Sequence, residues 1–241
     1  MGWTLDVLRS RPVAEVPRAI LAFAALLASA VSYASGVEYQ ARSTGFISAP
    51  RWWVLAYGDS KSTYTYYPED LVAKYASDTD RGPLTVTVLK VDGSTVTSRA
   101  TTVAAELSAL SLPYPPSVAP RAVLFQLGVV DARTVVAGDE AAWKAALGTI
   151  LDAFHSKWPT ALVYVAKPWG RDEAAGCDIL APWIDSVVDA RDWADDGPDE
   201  RIYLEGGDDG ATMTFDGVHP TDAGSLGGAD QWFTTINSNG W

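Results

Sequence analysis

From residue 52 onward, short runs of consecutive apolar residues alternate with longer stretches whose apolar positions recur three and four apart. The runs WWVLAYG (52–58), PLTVTVLKVDG (83–93), RAVLFQLG (121–128), ALVYVAK (161–167) and RIYLEGG (201–207) are β-branched or aromatic and end in Gly or Lys-Pro, so each reads as a strand. Between them, PEDLVAKYAS (68–77), SRATTVAAELSAL (98–110), DEAAWKAALGTILDAFHSKW (139–158) and CDILAPWIDSVVDARDW (177–193) read as helices. In the third helix Trp143, Leu147, Ile150, Leu151 and Phe154 share a face, and Asp139 is placed to cap its start. TDAGSLGGADQWFTTI (221–236) reads as a closing helix with a Gly-rich interior. Strand and helix in alternation predict right-handed crossovers and a five-stranded parallel sheet covered on both faces, a three-layer α/β/α sandwich. In such a sheet the functional site lies at the C-terminal ends of the strands.

Residues 1–51 precede this pattern and read as an extension to a domain spanning 52–241. Arg9, Arg11 and Arg18 lead into AILAFAALLASAVSYA (19–34), an apolar run of signal-peptide length, with ASA (28–30) and SYA (32–34) as cleavage sites. It is short and Ser-interrupted for a membrane span. The same residues fit an amphipathic helix, since Ile20, Phe23, Leu27 and Val31 fall at helical spacing. Two expectations stand: export or envelope anchoring, with membrane or particle contact only through residues 1–34, or an assembly arm. Residues 35–51 read as a linker or extended arm.

A net charge of -12 repels phosphate backbones and anionic headgroups, which sets nucleic acid aside as a partner. The single cysteine, Cys177, excludes an intrachain disulfide and a Cys-based metal site. Asp208-Asp209 in a Gly-rich stretch lacks the ligand count for calcium and reads as a turn, so no metal or other cofactor is expected.

With two histidines, His155 and His219, the general-base candidates are few. Ser60 follows the first strand in Gly58-Asp59-Ser60, outside any Gly-x-Ser-x-Gly elbow, phosphate loop or dinucleotide fingerprint. A serine nucleophile needs a base, and FDGVHPTDAG (215–224) offers one: Asp216 and His219 are three apart, close enough for the carboxylate to hold the imidazole's tautomer. His155 lies in an ordinary amphipathic helix and reads as a helix residue without a catalytic role.

Gly58-Asp59-Ser60 after the first strand, Asp216-Gly217-Val218-His219 near the C-terminus, and five strands alternating with helices resemble the SGNH or GDSL hydrolase family over residues 52–236. The resemblance implies a serine esterase with Ser60 as nucleophile, His219 as base and Asp216 as its orienter. It also implies an oxyanion hole made by the N–H of Ser60, the N–H of a glycine after the second strand, and an asparagine in a Gly-x-Asn-Asp motif. Gly93 is the nearest glycine, although strict alignment puts Val96 at that place. Gly128-Val129-Val130-Asp131 matches the motif at Gly128 and Asp131, but Val130 stands where the asparagine belongs. A missing side-chain donor costs about 2.7–4 kcal/mol of transition-state stabilisation. Three explanations follow: Lys61, Gln126 or Arg133 supplies the donor, the enzyme is slow, or the domain has become a binding or particle-assembly module. The ordinary reading of Lys61 is a solvated loop charge. Tyr64, Tyr66, Tyr67 and Trp169 are placed to line the mouth of the site, or else to pack in the core. The expected substrate is a short-chain acyl ester, with O-acetyl groups on carbohydrate as the leading class.

Overall fold

A computed structural model of the protein describes residues 38–42, 52–63, 65–78, 84–110, 119–205 and 213–238. Residues 1–34, Tyr64 and Asp208-Asp209, to which the sequence attached expectations, lie outside this set. Six strands form one sheet: β1 (Glu38–Arg42), β2 (Trp52–Gly58), β3 (Leu84–Lys90), β4 (Ala122–Gln126), β5 (Leu162–Lys167) and β6 (Ala194–Asp199). Their order is β1-β3-β2-β4-β5-β6, parallel except for β1, which runs antiparallel to β3 with Glu38 opposite Lys90 and Arg42 opposite Val86.

The helices are α1 (Tyr67–Ser77), α2 (Val96–Ala109), α3 (Val129–Ala132), α4 (Glu140–Lys157), α5 (Ala174–Val188), α6 (Glu200–Leu204) and α7 (Asp222–Ser238). Period-2 alternation sorts the sheet into two faces. Trp53, Leu55, Tyr57, Phe125 and Val163 pack on one side against α2, α4 and α5 through Val103, Leu147, Phe154 and Ile184. Val54, Ala56, Val88, Leu124 and Tyr164 pack on the other against α1 and α7 through Leu71, Tyr75, Trp232 and Ile236. This is the expected three-layer sandwich with five parallel strands. After β2 the chain places β3 on one side and β4 on the other, so a crevice opens at the C-terminal end of β2.

The fifth parallel strand is not the one the apolar pattern indicated. RIYLE (201–205), the described part of that run, does not supply it: Asp199 Oδ1 accepts from Arg201 N (3.0 Å) and starts the α6 turn, which buries Tyr203 and Leu204 and leaves Ile202 63% exposed. The strand is Ala194–Asp199, sequence ADDGPD, which as a sequence looks like a turn. An edge position explains it, because β6 pairs only with β5, tolerates Pro198 and turns Asp195 and Asp196 to solvent. Gly197 is required there, since a Cβ would lie 2.6 Å from Ala166 N. Residues 38–42, expected as part of an extended arm, form the antiparallel edge strand β1. Asp139 stands at the N-cap position of α4 as expected, but its side chain makes no capping hydrogen bond to that helix; its Oδ2 accepts from Val136 N (3.0 Å) at a 3-10 turn over Ala137–Asp139.

Candidate active site

Ser60 opens a 3-10 turn, Ser60–Ser62, immediately after β2, at the crevice defined by the strand order. Asp59 caps it, accepting from Lys61 N on Oδ1 (3.0 Å), and Ser62 N donates to Asp59 O (3.0 Å). Gly58 lets the turn sit against β4: a Cβ there would meet Ser62 Oγ at 2.0 Å and Gln126 O at 2.6 Å. Behind the turn, buried Arg99 of α2 donates from Nη1 to Gly58 O (3.0 Å), from Nε to Tyr57 Oη (2.8 Å) and from Nη2 to Glu106 Oε2 (2.8 Å).

The second half of the site comes from a hairpin at residues 214–220. Thr214 bridges Pro220, Phe215 N donates to His219 O (3.1 Å), and Arg171 N donates to Gly217 O (2.8 Å), which ties the hairpin to the loop after β5. It delivers His219 Nε2 to 2.8 Å from Ser60 Oγ, while His219 Nδ1 lies 2.6 Å from Asp216 Oδ2. Asp216 Oδ1 accepts from the backbone N–H of Val218 (3.0 Å) and His219 (2.7 Å). Burial acts to raise the Asp216 carboxyl, but the hydrogen bonds from His219 and Val218 outweigh it and hold it below the usual carboxylate range. Ser60, His219 and Asp216 thus form one hydrogen-bonded chain. A serine hydroxyl, an imidazole and an ionised carboxylate in that order can pass a proton from the hydroxyl to the ring.

The remaining site residues fall as follows. Val96 N donates to both oxygens of Asp131 (3.2 and 3.0 Å), so that N–H is taken, while Gly93 stands in an exposed turn with φ +67. Asp131 is buried, fixes the start of α2 and also accepts from Trp143 Nε1 (3.0 Å); burial raises its carboxyl despite these bonds. Gly128, φ +122, caps α3, which leaves Val130 half-buried with no side-chain donor.

Lys61 overturns its ordinary reading. The side chain is 1% exposed, and Nζ donates to a Glu200 carboxylate oxygen and to Trp169 O (3.2 Å). Burial alone would discharge this ammonium, and the charges of Glu200 and Asp59 reverse the effect. Gln126 joins the same network, donating from Nε2 to Glu200 Oε1 (2.6 Å) and Tyr203 Oη (3.3 Å) and accepting from Ser62 Oγ (2.9 Å). Both are therefore engaged beneath the turn. Arg133 is exposed and pairs with Glu173 (2.9 Å).

Burial pushes the Asp59 carboxyl up to about 6, against the lowering pull of Lys61. Tyr67 is not at the mouth: it is 3% exposed and stacks on Trp232 in the core. Trp169 is likewise buried, beside Tyr203 and Leu204, and of the expected mouth aromatics among the described residues Tyr66 is the half-buried one. His155 stacks on Trp193 (4.3 Å between centroids) away from the chain of Ser60 and His219. Glu200 and Phe215 went unnoticed in the sequence; Phe215 is 64% exposed and stacks on His219. Among the described residues no group of three His, Cys, Asp or Glu side chains is arranged to hold a metal ion, and no helix is long and apolar enough to cross a membrane.

No protein-family model and no curated protein sequence matches this chain. Solved structures do match its fold. EstA, a psychrotrophic esterase from Pseudoalteromonas sp., is 14% identical with a TM-score of 0.60, covering 77% of this chain and 97% of its own. Axe2, an acetylxylan esterase from Geobacillus stearothermophilus, is 14% identical with a TM-score of 0.59, covering 78% and 95%. TesA is 17% identical with a TM-score of 0.59, covering 77% and 98%. The α/β/α fold is shared with these structures and with a GDSL-like lipase from Parabacteroides merdae.

Proposed function

We propose that the protein is a serine esterase that hydrolyses short-chain acyl esters through Ser60, His219 and Asp216. The observation that carries this reading is the hydrogen-bonded chain of these three side chains at the C-terminal end of β2. His219 Nε2 takes the Ser60 proton as Oγ attacks the ester carbonyl, and the resemblance assigns the backbone N–H groups of Ser60 and of Gly93 as donors to the developing oxyanion. The intermediate collapses as His219 returns the proton to the departing alkoxide, leaving an acyl-serine. Water, deprotonated by His219, then releases the carboxylic acid and restores Ser60. Asp216, held ionised, fixes the ring and balances the imidazolium.

O-acetyl groups on carbohydrate are the substrate class we favour, a reading supported by the acetylxylan esterase among the structural neighbours. With the apolar run 19–34 acting in export, the enzyme works outside the cytoplasm. A second reading rests on Val130, which gives the oxyanion no side-chain donor: the same fold serving as a weakly active glycan-binding or particle-assembly domain. Reaction with a fluorophosphonate followed by peptide mass analysis separates the two. The esterase reading expects the phosphonyl adduct on Ser60 and its loss in His219→Ala; an unlabelled Ser60 supports the binding reading.

A further inference from the structure

Phe215 is an exposed aromatic ring, with 64% of its surface open to solvent. Single apolar residues on a surface are ordinary, but this one is fastened and aimed. Its N–H donates to His219 O (3.1 Å), and the Thr214–Pro220 bridge closes the same hairpin. Its plane lies 15° from that of the His219 imidazole, with centroids 5.6 Å apart, so the ring stacks against the imidazole with an offset and forms a shelf bordering it. The shelf's surroundings are polar: the Asp216 side chain is 43% exposed, and exposed Arg171 lies against the hairpin at Gly217.

In the reaction proposed above, His219 Nε2 hands its proton to the departing alkoxide. The leaving oxygen must then sit beside the imidazole, and whatever that oxygen carries extends over the groups bordering the imidazole. We propose that Phe215 is a specificity-determining residue that binds the alcohol half of the ester by stacking, and that this alcohol is an uncharged pyranose. The inference rests on the esterase reading of Ser60, His219 and Asp216. A pyranose presents a C–H face that matches an aromatic face and hydroxyls that suit the polar surroundings of Asp216 and Arg171. An ethyl group on the leaving oxygen is too short to cover a ring centred 5.6 Å from the imidazole centre. The net charge of -12 disfavours anionic sugars.

The test uses the full chain carrying Ser60→Ala, which binds without turnover, titrated by NMR with a mono-O-acetylated methyl xyloside and with ethyl acetate. Adding Phe215→Leu, which keeps an apolar side chain on the same bridge, weakens xyloside binding on the order of tenfold. Ethyl acetate binding falls by a much smaller factor, and Phe215→Trp restores the xyloside. Equal losses for both ligands, undiminished xyloside binding in Phe215→Leu, or no xyloside binding before Phe215 is changed would overturn the proposal. Phe215-dependent binding in a protein whose wild type shows no Ser60-dependent hydrolysis overturns the esterase reading and leaves the stacking site standing. Ser60-dependent hydrolysis with Phe215-independent binding does the reverse.

Discussion

Lys61 and Glu200, 139 residues apart, form an ion pair beneath the Ser60 turn with side chains 1% and 0% exposed. Pairs of this kind add little net stability over an apolar core, yet removing one partner strands a charge in the interior. Lys61→Met is expected to cost about 3–5 kcal/mol in urea unfolding. The double variant Lys61→Met with Glu200→Gln loses less, having no lone charge. A single variant as stable as wild type would show that the pair is not desolvated.

The Asp59 carboxyl gives stability a pH dependence with a definite sign. Its folded value, about 6, lies above its ordinary 3.8, so between these values the folded state binds more protons than the unfolded state. The contribution from Asp59 is therefore fully present below pH 3.8 and is lost as pH rises through about 6. Asp59→Asn removes the titrating group. Its unfolding free energy relative to wild type should rise from pH 4 to pH 7, as measured by urea titration; a constant difference contradicts this.

Gly58 carries a steric prediction. An alanine Cβ would press Ser62 Oγ at 2.0 Å and the β4 carbonyl of Gln126 at 2.6 Å, and relief requires moving the turn that holds Ser60. A shift on the order of 1 Å at a reacting group costs about a hundredfold in rate. Gly58→Ala should lose that much kcat on p-nitrophenyl acetate while still melting cooperatively; full activity would mean the turn yields without moving Ser60.

Val130→Asn adds a side-chain donor at the position where the sequence departs from its resemblance. Since one such donor is worth a hundredfold or more elsewhere, a gain of about tenfold in kcat is expected even with imperfect placement. No gain would indicate that another group already serves the oxyanion.

How much of this was legible in the sequence depended on how local each signal is. Gly58-Asp59-Ser60 and Asp216 to His219 are turns whose geometry is set within a few residues, and apolar residues recur three and four apart in α1, α2, α4 and α5, so the layers and the triad candidates were readable. The partner of Lys61 was not, because Glu200 lies 139 residues away and no periodicity links them. ADDGPD became a strand through its edge position beside β5, which overrides a turn-like composition, and RIYLE became helical once Asp199 capped it. For Tyr67 and Trp169 proximity to strand ends left mouth and core both open, and packing against Trp232 and Tyr203 turns them inward. Phe215, one residue before Asp216, was overlooked because exposure of a single aromatic leaves no pattern in a sequence.

The most direct test of the account is the hydrolysis of p-nitrophenyl acetate and butyrate by wild type and Ser60→Ala. Wild type is expected to turn both over with a preference for the shorter chain, and Ser60→Ala to be slower by at least a thousandfold. Equal rates in the two proteins would contradict a Ser60 esterase.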